Sequence, residues 1–308
     1  MFQTLKRGRR WLPFLLLACA VIIAVQVFNR VSLPKGVQVV TFEADMPRFG
    51  GWSAIDVDAT GQQGWILNDG SFLARVAIAR KDDDTIESLS LQPFGYLIAP
   101  IESADVSPTD TTYRDAEGLA LAPDGGAFVQ FERPPLLFHV TATDAVAPLS
   151  ALQTGFPIGS NVGPEALAQD ASGTLYTLPE RPFPRHGPYT LWAQPPQGTW
   201  APMLKIARKG RWRMTGADIG PDGALYLLER GITLGGFMSR VRRFSLDHPQ
   251  SDAPLEGSVL YLSPPGRHGN LEGLSVWRDR AGALRLLMVA DDNYLPFQRG
   301  EIVEVTLR

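Results

Sequence analysis

The sequence predicts an all-β fold, a β-propeller of five or six blades, behind an N-terminal membrane-anchor or signal helix. Three observations carry this prediction. One hairpin-like unit recurs five times along the chain. Short apolar runs are punctuated by 30 Gly and 25 Pro in 308 residues, and no long helical period follows residue 36. Residues 11–28 form an 18-residue run, nearly all apolar, directly behind a basic cluster.

The first element is that N-terminal segment. Residues 1–36 contain six basic residues (Lys6, Arg7, Arg9, Arg10, Arg30 and Lys35) and no acid. A basic cluster ahead of an apolar run of this length is the layout of a signal peptide or of a single span inserted with its basic end inside. Eighteen residues just suffice to cross a bilayer. Ala18-Cys19-Ala20 offers a cleavage site, Leu16-Leu17-Ala18-Cys19 is a poor lipobox, and an uncleaved anchor is favoured. The boundary falls after residue 36, with a single folded domain over 37–308.

Setting this segment aside changes the electrostatics. Taking its six cations from the 29 Lys+Arg leaves 23 against 32 Asp+Glu, so the domain is acidic, with a net charge of −9. Phosphate backbones need a basic face, so nucleic acid is excluded as a partner. The only cysteine, Cys19, lies in the anchor. The domain therefore has no disulfide and must hold together by burial, which its length allows.

The repeats come next. SAIDVDATGQQGWILNDG (53–70), DAEGLALAPDGGAFVQFER (115–133), GPEALAQDASGTLYTLPER (163–181), TGADIGPDGALYLLER (215–230) and LEGLSVWRDRAGALRLLMVADDN (271–293) follow one grammar. An apolar run enters a glycine turn, and a second run leaves it. The unit starts Ser53, Glu117, Glu165, Thr215 and Glu272 are separated by 64, 48, 50 and 57 residues, in the range of propeller blades, and the long first gap has room for a sixth. The terminal strands, 37–42 and 301–307, are expected to share one blade, because an open edge invites aggregation.

Hairpin counting makes a geometric prediction. Glu117 precedes Gly125 by eight residues and Glu132 follows it by seven. Glu165 and Glu180 flank Gly173 in the same way. Glu229 follows Gly223 by six, Glu272 precedes Gly282 by ten, and Asp291 and Asp292 follow it by nine and ten. Asn68 and Asp69 hold the matching place after Gly61. All should gather at the end of the ring away from the turns, near the channel mouth, where acids of one sign repel one another. A hard divalent cation would relieve this, with Ca²⁺ the best match to carboxylates and carbonyls. Its ligands would be Glu117, Glu165, Glu272, Asp291 and Asp292. Arginine is the other remedy: the dipeptides Glu132-Arg133, Glu180-Arg181 and Glu229-Arg230 would pair across neighbouring blades. Arg133, Arg181 and Arg230 are also the candidates for holding a substrate.

NLEGLSVW (270–277) and LLMVADDNYLPFQRGEIVEVTL (286–307) resemble the closing segment of the phytase-like β-propeller family, labelled "esterase-like activity of phytase". FGGWSAIDVD (49–58), DAEGLALAPDG (115–125), GPEALAQDASGTLYTLPER (163–181) and GADIGPDGALYLLERG (216–231) match its other landmarks in order, so the resemblance covers about 50–308. It implies a bacterial, exported or envelope-facing propeller; with the N-terminal segment uncleaved the domain is expected at the inner membrane facing the periplasm, and with it cleaved, free in the periplasm. Thr215 and Ser53 stand where other units carry Glu, so a symmetric metal ring is not expected.

The remaining motifs are negative. Arg185-His186-Gly187 and Arg267-His268-Gly269 begin like a histidine-phosphatase signature, but the strand-rich context is wrong for that fold. No G-x-S-x-G elbow, zinc-spaced His/Cys pair or phosphate loop before a helix occurs. His268 keeps a candidate role as a base beside Glu272. The expected function is a metal-assisted ester or phosphoester hydrolase with Glu117, Glu165, Glu272 and His268 as catalytic groups. The alternative is a non-catalytic propeller, tethered to the membrane through residues 11–28, that binds a ligand or an envelope protein.

Overall fold

A computed structural model describes residues 36–42, 49–97, 115–132, 135–151, 163–247, 253–295 and 298–307. The N-terminal segment, on which the anchor expectation rests, lies outside them, as does Arg133. Among the described residues no helix is long and apolar enough to cross a membrane.

Strand β1 (Val37–Thr41) opens the chain. Blade one is β2 (Trp52–Val57), β3 (Gln63–Asn68), β4 (Phe72–Arg80) and β5 (Ile86–Tyr96). Blade two is β6 (Ala116–Leu121), β7 (Ala127–Phe131), β8 (Leu136–Val140) and β9 (Val146–Ala151). Blade three is β10 (Pro164–Gln169), β11 (Leu175–Pro179), β12 (Tyr189–Gln194) and β13 (Ala201–Ile206). Blade four is β14 (Arg213–Ile219), β15 (Leu225–Thr233), β16 (Gly236–Phe244) and β17 (Ser258–Leu262). Blade five is β18 (Asn270–Arg278), β19 (Leu284–Asp291) and β20 (Glu301–Thr306), completed by β1. The propeller has five blades; the described residues hold no sixth sheet in the long first gap.

β1 pairs antiparallel with β20 from Val37↔Val305 to Thr41↔Glu301, so both ends of the chain share a blade and the ring closes as expected. Every blade reverses between its first two strands through the same small turn. Gly61, Gly125, Gly173, Gly223 and Gly282 each donate their N–H to the carbonyl three residues earlier. All five have positive φ, from 67° to 86°, which favours glycine.

The core lies between the blades, in five apolar clusters, one at each junction. The inner strand β2 is buried along its whole length, whereas the outer strands β5, β13 and β17 are largely exposed. Blades pack face to face, so strands near the axis are covered on both sides and read as continuous apolar runs. At the closing junction the Arg80 guanidinium grips Glu304 with two hydrogen bonds of 2.9 and 3.0 Å, and both side chains are fully buried. Trp277 lies under Arg80 at 4.0 Å and donates its Nε1–H to the same carboxylate.

Candidate functional site

Each innermost strand carries an irregularity near its start, at its second or third residue. The register of the inner hairpin shifts around Ser53, Glu117, Glu165, Thr215 and Glu272, one residue in every blade. These are the residues that open the sequence repeats. A bulge re-aims a side chain out of the ladder. The next residue is always small: Ala54, Gly118, Ala166, Gly216 and Gly273. Inner strands of neighbouring blades nearly touch here. A Cβ on Gly216 would lie 2.4 Å from the Glu272 carbonyl, and one on Gly273 would lie 2.6 Å from the Ile55 nitrogen. The recurring carboxylate-Gly pair is thus a bulge followed by the residue that lets the strands converge on the axis.

A second ring follows from the register. Asp69, Glu132, Glu180, Arg230 and Asp291 occupy one position, just past the residues that pair at the bulge, in blades one to five respectively. The two rings share one end of the channel, as the hairpin counting predicts. Glu229 departs from that expectation. It lies opposite Met214, one residue before the ring, and is fully buried. There both its oxygens are taken by Arg240 and Arg242, at 2.6 to 3.1 Å, within its own blade. Blade four therefore places Arg230 where the other blades place an acid.

Arg230 bridges the rim. Its Nη1 donates to Glu272 Oε1 at 2.5 Å and to Asn270 Oδ1 at 2.8 Å, and its Nη2 donates to Glu180 Oε1 at 3.1 Å. Glu180 is held further by Arg213 at 2.9 Å and Arg181 at 3.0 Å. Glu132 accepts from the Gly163 amide at 3.0 Å. Asp291 accepts from the Asn293 amide at 2.6 Å and from Asn270 at 3.3 Å. Asp292 is turned into the loop before β2, where its Oδ1 accepts from the Gly51 amide at 2.9 Å.

No arginine hydrogen-bonds Glu117 or Glu165 among the described residues. Both line the narrow throat of the channel, which has about 10 Å³ of free space, room for a single water. Burial, then repulsion from Glu165, Glu272 and Asp115, holds the Glu117 carboxyl well above its ordinary range. Burial does the same to Glu165, with Glu180 and Glu272 adding to it and Arg230 opposing it. Burial raises Glu272 to about 7 against the pull of Arg230, and raises Asp291 to about 6.

His268 does not join this group. It is buried between the Tyr261 hydroxyl, 2.7 Å from Nε2, and Glu301, 3.6 Å from Nδ1. The calcium expectation also meets a geometric obstacle. The acids suit a hard cation by chemistry, but among the described residues no three of them converge closely enough to hold a metal ion. Glu272 is committed to Arg230 and Asp292 to backbone.

The opposite mouth of the channel holds a group that hairpin counting did not single out. A cavity of about 510 Å³ between the glycine turns is floored by Asp56 and Asp218. The Ser275 hydroxyl donates to Asp56 at 2.7 Å, and the Leu121 and Val276 amides cap Asp56 and Asp218 at 2.7 and 2.6 Å. Burial raises Asp56 to about 6 and pushes Asp218 well above the usual carboxylate range, with the Asp56 charge second. The only sequence signal was an aspartate at the same place in IDVD and ADIG.

Virginiamycin B lyase from Staphylococcus aureus aligns with 87% of this chain and 73% of its own, at 13% identity and a TM-score of 0.41. Regucalcin from Agrobacterium tumefaciens strain C58, a calcium-binding protein, aligns over 83% and 90%, at 15% identity and a TM-score of 0.47. Scores and identities this low carry no argument. No curated protein matches. The Phytase-like family, described as esterase-like activity of phytase, matches residues 47–294, and that span takes in the bulge residues, both rings and every inner strand. The chain belongs to the Phytase-like family.

Proposed function

We propose that the rim is the active site of an ester or phosphoester hydrolase that works by proton transfer among carboxyl groups. One observation carries this reading: Glu117 and Glu165, which face the throat with no arginine partner among the described residues and are pushed well above the ordinary carboxyl range by burial, stand beside Glu272, which titrates at about 7. One site thus offers proton donors and a proton acceptor together, as hydrolysis requires. Glu272 takes a proton from water as the water oxygen bonds to the acyl carbon or phosphorus. The ester C–O or P–O bond breaks, and Glu165 or Glu117 protonates the departing oxygen. Arg230, already on Glu272, is placed to bind negative charge that builds on the reacting group. His268 has no part, because Tyr261 and Glu301 engage it. Calcium stands outside these steps.

The throat, with room for one water, favours a second reading, in which the rim seats a ligand without turning it over. We also place the domain on the periplasmic side of an inner membrane, a reading supported by the basic cluster and apolar run of residues 1–36.

The test assays the full chain in detergent against p-nitrophenyl esters, p-nitrophenyl phosphate and phytate, with added Ca²⁺ and with EDTA. The hydrolase reading expects Glu165→Gln and Glu117→Gln to lower kcat/KM by roughly a hundredfold or more for at least one substrate. Turnover equal to that of the Glu117→Gln/Glu165→Gln double variant would leave only the binding reading. A calcium role predicts loss of turnover in EDTA and recovery on adding Ca²⁺.

A further inference from the structure

Beside the acidic rim lies a pocket of the opposite sign. The loop after β11 and the loop leading into β14 enclose about 350 Å³ lined by Arg181, Arg185, Arg208, Arg211 and Arg213, with the Trp212 ring in the wall. Five guanidinium groups around one cavity run against the net charge of −9 on residues 37–308. The carboxylate that balances part of them is Glu180, bound to Arg181 at 3.0 Å and Arg213 at 2.9 Å. Arg185, Arg208 and Arg211 have no carboxylate partner among the described residues; Arg208 faces only the His186 ring, at 3.4 Å. Three cations are thus gathered, uncompensated, around a space that could hold a small ligand, and holding them together without an anion is unfavourable. The backing of Trp212 is fixed: Arg240 stacks at 4.4 Å from its centroid and is itself anchored on Glu229. A rigid aromatic wall and several forked donors suit an oxyanion that carries more than one charge, bound bidentately, on an organic group that lies against the ring.

We infer that this pocket is a binding site for a phosphate-class dianion borne on a small organic molecule. Through Glu180, which Arg213 and Arg230 share, the pocket adjoins the rim. The binding site stands whether or not the rim is catalytic.

Isothermal titration of the full chain in detergent, at low salt, with inorganic phosphate, pyrophosphate and phenyl phosphate tests this. Saturable one-site binding is expected, with phenyl phosphate at least severalfold tighter than inorganic phosphate. Arg185→Gln/Arg211→Gln removes two exposed side chains that make no hydrogen bond or ion pair among the described residues, so the fold is not at risk, and should weaken binding at least tenfold. Trp212→Leu, which removes the aromatic face, should abolish the preference for phenyl phosphate. Binding is read by titration and turnover by release of p-nitrophenol, so failure of either idea is seen separately. Absence of saturable binding, or equal affinity in the Arg185→Gln/Arg211→Gln variant, would overturn the inference. Phosphate and phenyl phosphate of equal affinity would overturn the organic half of it.

Discussion

At the rim four buried acids set the chemistry, and their cost to the fold can be read from their ionisation. Glu117, Glu165, Glu272 and Asp291 all titrate above their ordinary range because burial disfavours their charged forms. In the unfolded chain these groups ionise near pH 4 to 4.5. The folded protein therefore binds more protons than the unfolded chain above that pH, and stability falls as pH rises. The loss runs from about pH 4.5 to at least 7, where Glu272 titrates. A Glu117→Gln/Glu165→Gln variant should be more stable than the parent at pH 8 and nearly equal to it at pH 4.5, by on the order of 1 kcal/mol for each pKa unit removed. Thermal unfolding across that range measures it. A parallel displacement at both pH values would show that the two acids are not the source.

These acids were legible because two local signals coincide. A carboxylate followed by Gly or Ala marks the bulge, and the count to the turn glycine gives the end of the hairpin. The same counting holds the reason Glu229 was misplaced. Glu132 and Glu180 follow their turn glycines by seven residues, and so does Arg230, whereas Glu229 follows by six. The recurring Glu-Arg dipeptide is one residue out of phase in blade four. Its strand register puts the cation, not the acid, in the ring. His268 gave no such signal, because its partners, Tyr261 and Glu301, come from separate strands. The arginine pocket was hidden for a similar reason: its residues lie in two loops about 25 positions apart, and only the packing of blade three on blade four unites them.

Among the elements, β1 has the most demanding task, since it closes the ring from the far end of the sequence. Its backbone pairs with β20, and its Gln38 amide exchanges two hydrogen bonds of 2.8 Å with the Ile86 backbone in blade one. The junction it seals holds the buried Arg80–Glu304 pair. Breaking one partner of such a pair strands the other charge without water, which typically costs about 3–5 kcal/mol. Glu304→Gln should therefore destabilise the domain strongly. Glu304→Gln with Arg80→Met, which removes both charges, should recover part of that loss. Denaturant unfolding of the two variants measures the difference. Equal stability of single and double variants would mean that the pair does not act as a unit.

Taken as a whole, the ring is a symmetric scaffold that carries an asymmetric charge pattern. Repeat geometry delivers one rim position per blade, four blades fill it with an acid, and blade four fills it with Arg230. A fifth acid there would add to the repulsion that already helps to raise Glu165 and Glu272. Arg230 instead opposes the rise of both Glu165 and Glu272 and keeps Glu272 near 7. Under the proposed hydrolase mechanism, the acid limb of kcat/KM follows the ionisation of Glu272 and should lie near pH 7. Removing the guanidinium in Arg230→Gln takes away the main force lowering that pKa, so the limb should move to higher pH by about a unit or more. Arg230→Lys keeps a charge but loses the fork that joins Glu272 to Glu180, so its limb should fall between the two. A pH profile of kcat/KM for an uncharged p-nitrophenyl ester reads the shift without titration of the substrate. An unmoved limb in Arg230→Gln would detach Glu272 from the role of base, whatever the residual rate.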